Sequence, residues 1–389
     1  MLHSPRCLLA ARKFADVLNK TACRVFPEIT CGGSVANNIL IKVAMSTEAK
    51  KMKTGVQKIG THSGNFHCDE ALACFMLQQL DQYKDAEIIR TRDIDTLNGC
   101  DIVVDVGDVF DPERKRFDHH QKSFQETLSS LRPELGNKYN IRLSSAGLVY
   151  TFFGEEAIKN ILKSRKIELP PKSLHSIYRK IYENFIEEID AIDNGVPICD
   201  GEPKYKITTG ISARVGYFNP PWNHDGTLKE NEQFEKAKSY VGAELVDKIL
   251  HYATVWLPAR DIVSDALNNA KEIHESLSIM ELSSGCPWKE HLFDLEQERE
   301  ILGQTKYVLF KDVKPNDWRV MCVPIKPDSF ICRKFLHKDW RGIRAEELRK
   351  ASGVEDANFC HVTGFIGGAA SREGVYQMAV KSLSGDYVD

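Results

Sequence analysis

Residues 56–80 read VQKIGTHSGNFHCDEALACFMLQQL, and their order decides the fold. Val56 to Ile59 reads as a short strand that runs directly into Thr61-His62-Ser63-Gly64-Asn65-Phe66-His67-Cys68-Asp69-Glu70. From Ala71 to Leu80, the residues Leu72, Phe75, Met76 and Leu80 recur at helical spacing. A strand, a polar histidine-bearing turn and a helix in immediate succession make the repeating unit of an α/β layer fold. Outward from it, Ala86 to Thr91 reads as a second strand and Asp101 to Val106 as a third. The unbroken Ile102-Val103-Val104 run of the third suits a strand buried on both faces. It ends at Asp105, Gly107 and Asp108.

Further along, Ser144 is placed to cap a helix running to about Lys163. Ser173 is placed to cap another, in which Leu174, Ile177, Ile181, Phe185, Ile189 and Ile192 recur at helical spacing. That helix is expected to stop at Asp193-Asn194-Gly195. Residues 230–250 and 259–277 read as two more helices. Beyond Cys286 the pattern changes to strands at 306–311 and 318–323, a helix near 343–351, and a strand at 359–362 feeding Gly364-Phe365-Ile366-Gly367-Gly368. These patterns predict a parallel-sheet domain over residues 55–225, a helical linker over 226–285 and a smaller α/β domain over 286–389.

With 389 residues the chain is long enough for more than one domain, and 42% hydrophobic residues can bury real cores. The formal net charge of -3 excludes a generally basic nucleic-acid-binding surface, but metal ions can supply local positive charge for a phosphate substrate. Eleven cysteines are scattered with no C-x-x-C pair, which argues against a disulfide framework or a structural zinc knuckle. No run of about 18 apolar residues occurs, which argues against a transmembrane helix and against membrane partners. Residues 1–50 differ from the rest. Arg6, Arg12, Lys13, Lys20 and Arg24 face the single acid Asp16 before Pro27, the pattern of a mitochondrial presequence. Lys50, Lys51 and Lys53 form a weak nuclear-address cluster or a solvated linker.

Four of the twelve histidines fall in two tight pairs, His62/His67 and His119/His120, each with acids beside it. Asp69, Asp105, Asp118 and Asp193 lie at or near element ends, where α/β sheets collect their sites. Each residue alone has a plainer reading. Asp105 alone would be a turn residue, His62 or His67 a loop histidine, and Asp193 a helix-end acid with Asp190 as its competitor. The joint pattern of imidazole and carboxylate points to a hydrolytic divalent ion, with manganese, zinc, cobalt or magnesium all suited to such ligands.

The ordered series His62…His67-x-Asp69, Asp105, Asp118-His119-His120 and Asp193 resembles the four-motif signature of the DHH phosphoesterase superfamily. It is more similar still to one branch, the melanocyte proliferating gene family of 3'-5' exonucleases. The stretches that carry this are Ile59 to Ala73, Asp101 to Gly107, Asp118 to His120, Tyr182 to Gly195, Ser212 to Val215, Trp222 to His224, Trp256 to Arg260, Cys286 to His291 and Gly364 to Gly368. The resemblance covers roughly residues 55 to 384.

It implies a DHH-type parallel-sheet catalytic domain followed by a substrate-binding domain. It also implies two divalent ions, manganese foremost and magnesium next. By the resemblance, His62, His67 and Asp105 hold one ion, and Asp69, Asp105, His119 and Asp193 hold the other with Asp105 shared. His120 then contacts the phosphate and protonates the leaving oxygen, and Asp118 orients the histidines. The superfamily usually has an aspartate four residues after the first histidine; Phe66 stands there, and His67 takes that role one residue later. Gly367 and Gly368 are expected to cradle a phosphate with backbone N–H groups, unless the turn is an ordinary strand-to-helix connection. His361 and Arg372 would add charge and hydrogen bonds, and Arg214 is either a phosphate clamp or a surface ion pair. Trp222 either stacks on a base or anchors the Pro-Pro turn. The resemblance further implies single-stranded RNA as substrate, and mitochondrial matrix with nucleus or nucleolus as location. A small-substrate phosphatase or pyrophosphatase is the alternative enzyme, and a non-catalytic RNA-binding regulator is the alternative class.

Overall fold

The computed structural model describes residues 55–313 and 317–385. The presequence expected over residues 1–50 and the Lys50-Lys51-Lys53 cluster lie outside the described residues. Strands β1 (Lys58–Thr61), β2 (Glu87–Arg90), β3 (Ile102–Val104), β4 (Phe110–Asp111) and β5 (Arg116–Phe117) form the first sheet, in the order β2-β1-β3-β5-β4. The first three and β5 run parallel, and β4 closes the edge antiparallel. Ile59 and Ile102 to Val104 are buried, as the apolar runs require of a sheet covered on both faces. Strand β1 lies between β2 and β3. The chain therefore leaves β1 to one side and comes back on the other, which opens a crevice at the carboxyl ends of β1 and β3. His62 follows β1 and Asp105 follows β3, so the topology alone brings the two loops together.

Helix α1 (Cys68–Leu77) starts straight after the β1 loop and buries nine of its residues, from Cys68 to Leu77 without Phe75, against the core. It packs on α2 (Ser145–Ser164), which Ser144 caps by accepting from Gly147 N–H. The helix expected from Ser173 is α3 (Pro171–Ile181), and it begins earlier. Pro171 suits the first helical turn because its missing N–H is unpaired there in any helix, so Ser173 falls inside the helix. Past Ile181 the chain widens into a π-helical turn (Tyr182–Ile186) and continues as α4 (Glu187–Asp193). A second long rod behaves alike. Helix α5 (Glu230–His251) passes through a π-helical turn (Tyr252–Trp256) into α6 (Leu257–Asn268), which ends before the expected 277. Pro258 lacks an N–H, and the widened turn before it absorbs the missing bond without breaking the rod. A Cβ at Gly242 of α5 would lie 2.1 Å from the Phe75 ring, so glycine permits the close approach of α5 to α1.

The second sheet has the order β6-β7-β8-β10-β9, from β6 (Ile279–Glu281), β7 (Tyr307–Lys311), β8 (Trp318–Cys322), β9 (Ala357–Cys360) and β10 (Ile366–Ala369). Only β6 and β7 pair parallel. Strand β6 falls in the stretch that the sequence pattern assigns to the linker. Helices α7 (Lys289–Glu298) and α8 (Arg372–Ser384) belong to this half, as does the short helix Ala345–Ser352 expected near 343–351, and its buried residues include Tyr307, Val320, Leu336, Trp340 and Met378. The matched stretches Trp256 to Arg260 and Cys286 to His291 join the two halves. Trp256 Nε1 donates to Glu290 at 2.7 Å, and His291 Nε2 donates to the Trp256 carbonyl at 2.8 Å. No described helix is long and apolar enough to cross a membrane, and the described cysteines are free thiols.

Candidate metal centre

The turn after β3 is held in an unusual backbone conformation. Asp105 and Asp108 both have positive φ (56° and 55°), with Gly107 between them at 98°. For aspartate this region is strained, and the strain persists because the surroundings hold the turn. Asp105 N–H donates to the Phe117 carbonyl at 3.1 Å. Asp118, at the end of β5, accepts from Asp108 N–H at 2.7 Å through one oxygen. Through its other oxygen it accepts from His120 N–H and holds His120 Nδ1 at 2.7 Å. Asp118 therefore ties the Asp105 turn to the histidine pair.

The loop after β1 is strapped from outside. Asn219 accepts from Phe66 N–H at 2.9 Å and donates to the Phe66 carbonyl at 2.7 Å. The buried Arg90 side chain donates to the Gly64 carbonyl and pairs with Glu230 at 2.6 Å, and Glu230 accepts from Gly64 N–H at 2.7 Å. Phe66 is fully buried against Phe234 and beneath Arg90, so its position serves the core and holds no ligand. His67, the next residue, is exposed beside two groups of candidate ligands.

These elements bring together three overlapping groups whose ligand atoms lie within 4.8 Å of one another. The first is His62, His67, Glu70 and Asp105; the second is Asp105, His119 and His120; the third is His67, Asp69 and Asp193. His62 Nε2 lies 3.0 Å from Glu70 and 3.4 Å from Asp105. His119 Nε2 lies 3.4 Å from Asp105 and 3.1 Å from Asp193, yet neither of its ring nitrogens makes an aligned hydrogen bond. Both oxygens of the buried Asp69 also lack a hydrogen-bond partner among the described residues. Buried polar atoms are rarely left so, and orphaned carboxylate and imidazole atoms converging on one another fit divalent ions.

The electrostatics agree. Burial opposes charge on His62 and His119, but the carboxylates of Asp105 with Glu70, and of Asp105 with Asp193, push both up to about 10. Burial, then the charges of Asp105 and Asp193, raise Asp69 well above the carboxylate range. Burial would also raise Asp105, but His119 and His62 hold it below that range.

Asp190 does not compete with Asp193. It is fully buried and accepts from Ser144 N–H at 2.9 Å and Ser144 Oγ at 2.7 Å. Ser145 Oγ, next in α2, donates to Asp105 at 3.2 Å. A Cβ at Gly147 would lie 2.3 Å from the Asp190 carboxylate, so this glycine lets Asp190 reach the start of α2.

Glu70, Ser145 and Arg92 are side chains in or beside the cluster that the sequence pattern leaves without a role. Glu70 was legible as the acid three residues after the helix-capping His67, whose N–H it accepts at 2.8 Å. Ser145 and Arg92 become neighbours of the cluster only through the tertiary fold.

The residues expected to bind substrate from the second half are placed otherwise. Gly367 and Gly368 lie inside β10, flanked by β8 and β9, so their backbone groups belong to the ladder and form no open cradle. They are glycines because a Cβ would meet Met378 at 2.8 Å or the Phe359 ring at 2.7 Å. Arg372 pairs with Glu281 at 2.8 Å, and His361 Nδ1 lies 2.9 Å from Thr363 Oγ1. Arg214 lies over the rings of Phe218 and Tyr240, and Trp222 is 96% exposed, which removes the packing-anchor reading. Two cavities meet the cluster. One of about 370 Å³ is lined by His62, His67, Asp105, Asp118, His120 and Arg92, among others. The other, about 1450 Å³, touches His67, Asp69 and Asp193 and runs along apolar residues such as Ile192, Ile198 and Tyr205. None of Arg214, His361, Gly367, Gly368 and Arg372 lines either.

Comparison with known proteins places this architecture. The MYG1 exonuclease family model, described as Uncharacterised protein family (UPF0160), matches residues 58–383. A Bos taurus protein named MYG1 exonuclease is 44% identical over 344 residues, 88% of each chain. The Homo sapiens MYG1 exonuclease is 46% identical over 329 residues, 84% of this chain and 86% of its own. A Saccharomyces cerevisiae MYG1 protein is 38% identical over 348 residues, 87% of this chain and 99% of its own. The matched region contains both sheets and every residue of the cluster, and the chain belongs to the MYG1 exonuclease family.

Proposed function

We propose that this protein is a metal-dependent 3'-5' exoribonuclease that hydrolyses terminal phosphodiester bonds of single-stranded RNA, with two divalent ions, manganese foremost. The observation that carries the metal-dependent hydrolase is the sharing of Asp105 between two ligand groups at one cavity. The relatives' name carries exonuclease, and the sequence resemblance carries RNA and polarity. His62, His67, Glu70 and Asp105 would hold one ion; Asp69, Asp193, His119 and Asp105 would hold the other. Bound there, two divalent ions would supply Lewis acidity at the phosphate oxygens and a nucleophile at neutral pH.

The chain's own residues do the rest. His120 is 57% exposed at the cavity and is anchored through Nδ1 by Asp118. That hydrogen bond raises its pKa and leaves Nε2 to deliver a proton to the departing ribose oxygen. Ser145 donates to Asp105, and Asp118 pins the strained turn that carries it. The test is purified full-length protein with manganese and 5'-labelled single-stranded RNA. Wild type should yield a ladder of shortening labelled fragments, and Asp105→Ala should lose on the order of 10³-fold in rate. Equal low rates for the two proteins would remove the nuclease reading. Phosphate released from small substrates, with RNA untouched, would favour the phosphatase instead.

A further inference from the structure

Arg92 lies just past β2, at the same carboxyl end of the sheet as His62 and Asp105, and lines the 370 Å³ cavity with them. Among the described residues lining that cavity it is the only lysine or arginine, against the carboxylates of Asp105, Asp108 and Asp118. It makes no ion pair among the described residues. Its Nε donates to the Ser63 carbonyl at 3.2 Å. Its Nη2 lies 3.3 Å from His62 Nδ1, which is itself 3.2 Å from the Ser63 carbonyl.

One ring nitrogen cannot accept a proton from the guanidinium and donate one to the carbonyl at once. His62 Nε2 faces Glu70 and Asp105. With the Nε2 lone pair given to a cation, as in the proposed metal centre, Nδ1 carries the hydrogen and donates to the Ser63 carbonyl. Among the described residues Nη2 then has no acceptor and Nη1 makes no hydrogen bond. A guanidinium fixed through Nε, with its fork open to a cavity, matches two oxygens of a phosphate.

We propose that Arg92 binds the non-bridging oxygens of the scissile phosphodiester, opposite His120. This rests on the phosphodiesterase reading of the cluster. It assigns phosphate recognition to the first half of the chain rather than to the glycine-rich strand.

The test uses manganese-loaded full-length wild type, Arg92→Gln and Arg92→Lys. Two uncleavable RNA oligonucleotides serve as probes. One has a charged bridging-methylene phosphonate at the 3'-terminal linkage, the other a neutral methylphosphonate. Wild type should prefer the charged probe. Arg92→Gln should lose about 10-fold of that preference, and Arg92→Lys should recover part of it. On cleavable RNA, kcat/KM should fall about 100-fold in Arg92→Gln, with manganese per chain unchanged. Undiminished preference in Arg92→Gln would overturn the assignment. So would loss of bound manganese in step with activity, since Arg92 would then act only by holding the His62 loop. If wild type leaves cleavable RNA intact, the nuclease reading fails by itself. The probe comparison still decides Arg92, with lost preference supporting the contact and retained preference removing it.

Discussion

Asp69 is buried at the centre of the cluster with neither oxygen hydrogen-bonded, and the charges of Asp105 and Asp193 lie near it. Such a group costs stability in the metal-free fold and is retained for function. The sign follows from its raised pKa. The folded state holds the Asp69 proton more tightly than the unfolded chain, so above the ordinary carboxylate range stability falls as pH rises. Asp69→Asn keeps the shape and removes the charge. In chelator-treated protein it should stabilise the fold by about 1–2 kcal/mol, more at pH 8 than at pH 5, read as a higher melting temperature. The same change should abolish metal-dependent hydrolysis. A lower melting temperature at both pH values would show that Asp69 stabilises the metal-free protein. Asp69 as a candidate ligand was legible from its place after His67. That it lacks partners was not, because hydrogen bonding depends on which distant elements surround it.

At the scale of elements, the centre depends on loops held by groups far away in sequence. Arg90 reaches from β2 to the Gly64 carbonyl and Glu230, with its guanidinium over the rings of Phe66 and Phe234. Arg90→Met keeps much of the packing and removes the strap. Glu230 is 42% exposed and can be solvated when left alone, so the cost should be about 2 kcal/mol, less than for a fully buried pair. The freed β1 loop should also weaken metal binding, read by isothermal titration. Unchanged metal affinity with reduced stability would make Arg90 a packing residue only. The helices themselves were largely legible in apolar spacing. Their π-helical turns were not, since a widened turn leaves the periodicity of Ile177, Ile181, Phe185 and Ile189 nearly intact. The glycine-rich stretch was misread for a related reason. Gly367 and Gly368 look like a turn by composition, but side chains from α8 and β9 leave no room for a Cβ inside the sheet.

At the scale of the whole molecule, the two halves meet where Trp256 touches Glu290 and His291. Burial lowers the His291 pKa, so the ring stays neutral and donates from Nε2 to the Trp256 carbonyl. A histidine with a depressed folded pKa binds fewer protons than its unfolded form. Its contribution to stability is therefore lost as pH falls through the ordinary histidine range. His291→Gln should flatten the stability profile between about pH 5 and 7 and cost about 1 kcal/mol at pH 8. Parallel profiles for wild type and variant would place the acid sensitivity elsewhere.

The order of motifs by itself determined the α/β class, the parallel first sheet and the candidate ligands at its strand ends. Those follow from local periodicity and from the chemistry of side chains close together in sequence. Only the tertiary structure decided that Asp193 rather than Asp190 faces His119, that Glu70 joins His62, and that Arg92 rather than Gly367 and Gly368 borders the cavity. Each of those depends on a crossover or a helix–helix approach between distant segments, and a sequence pattern carries no distance between them.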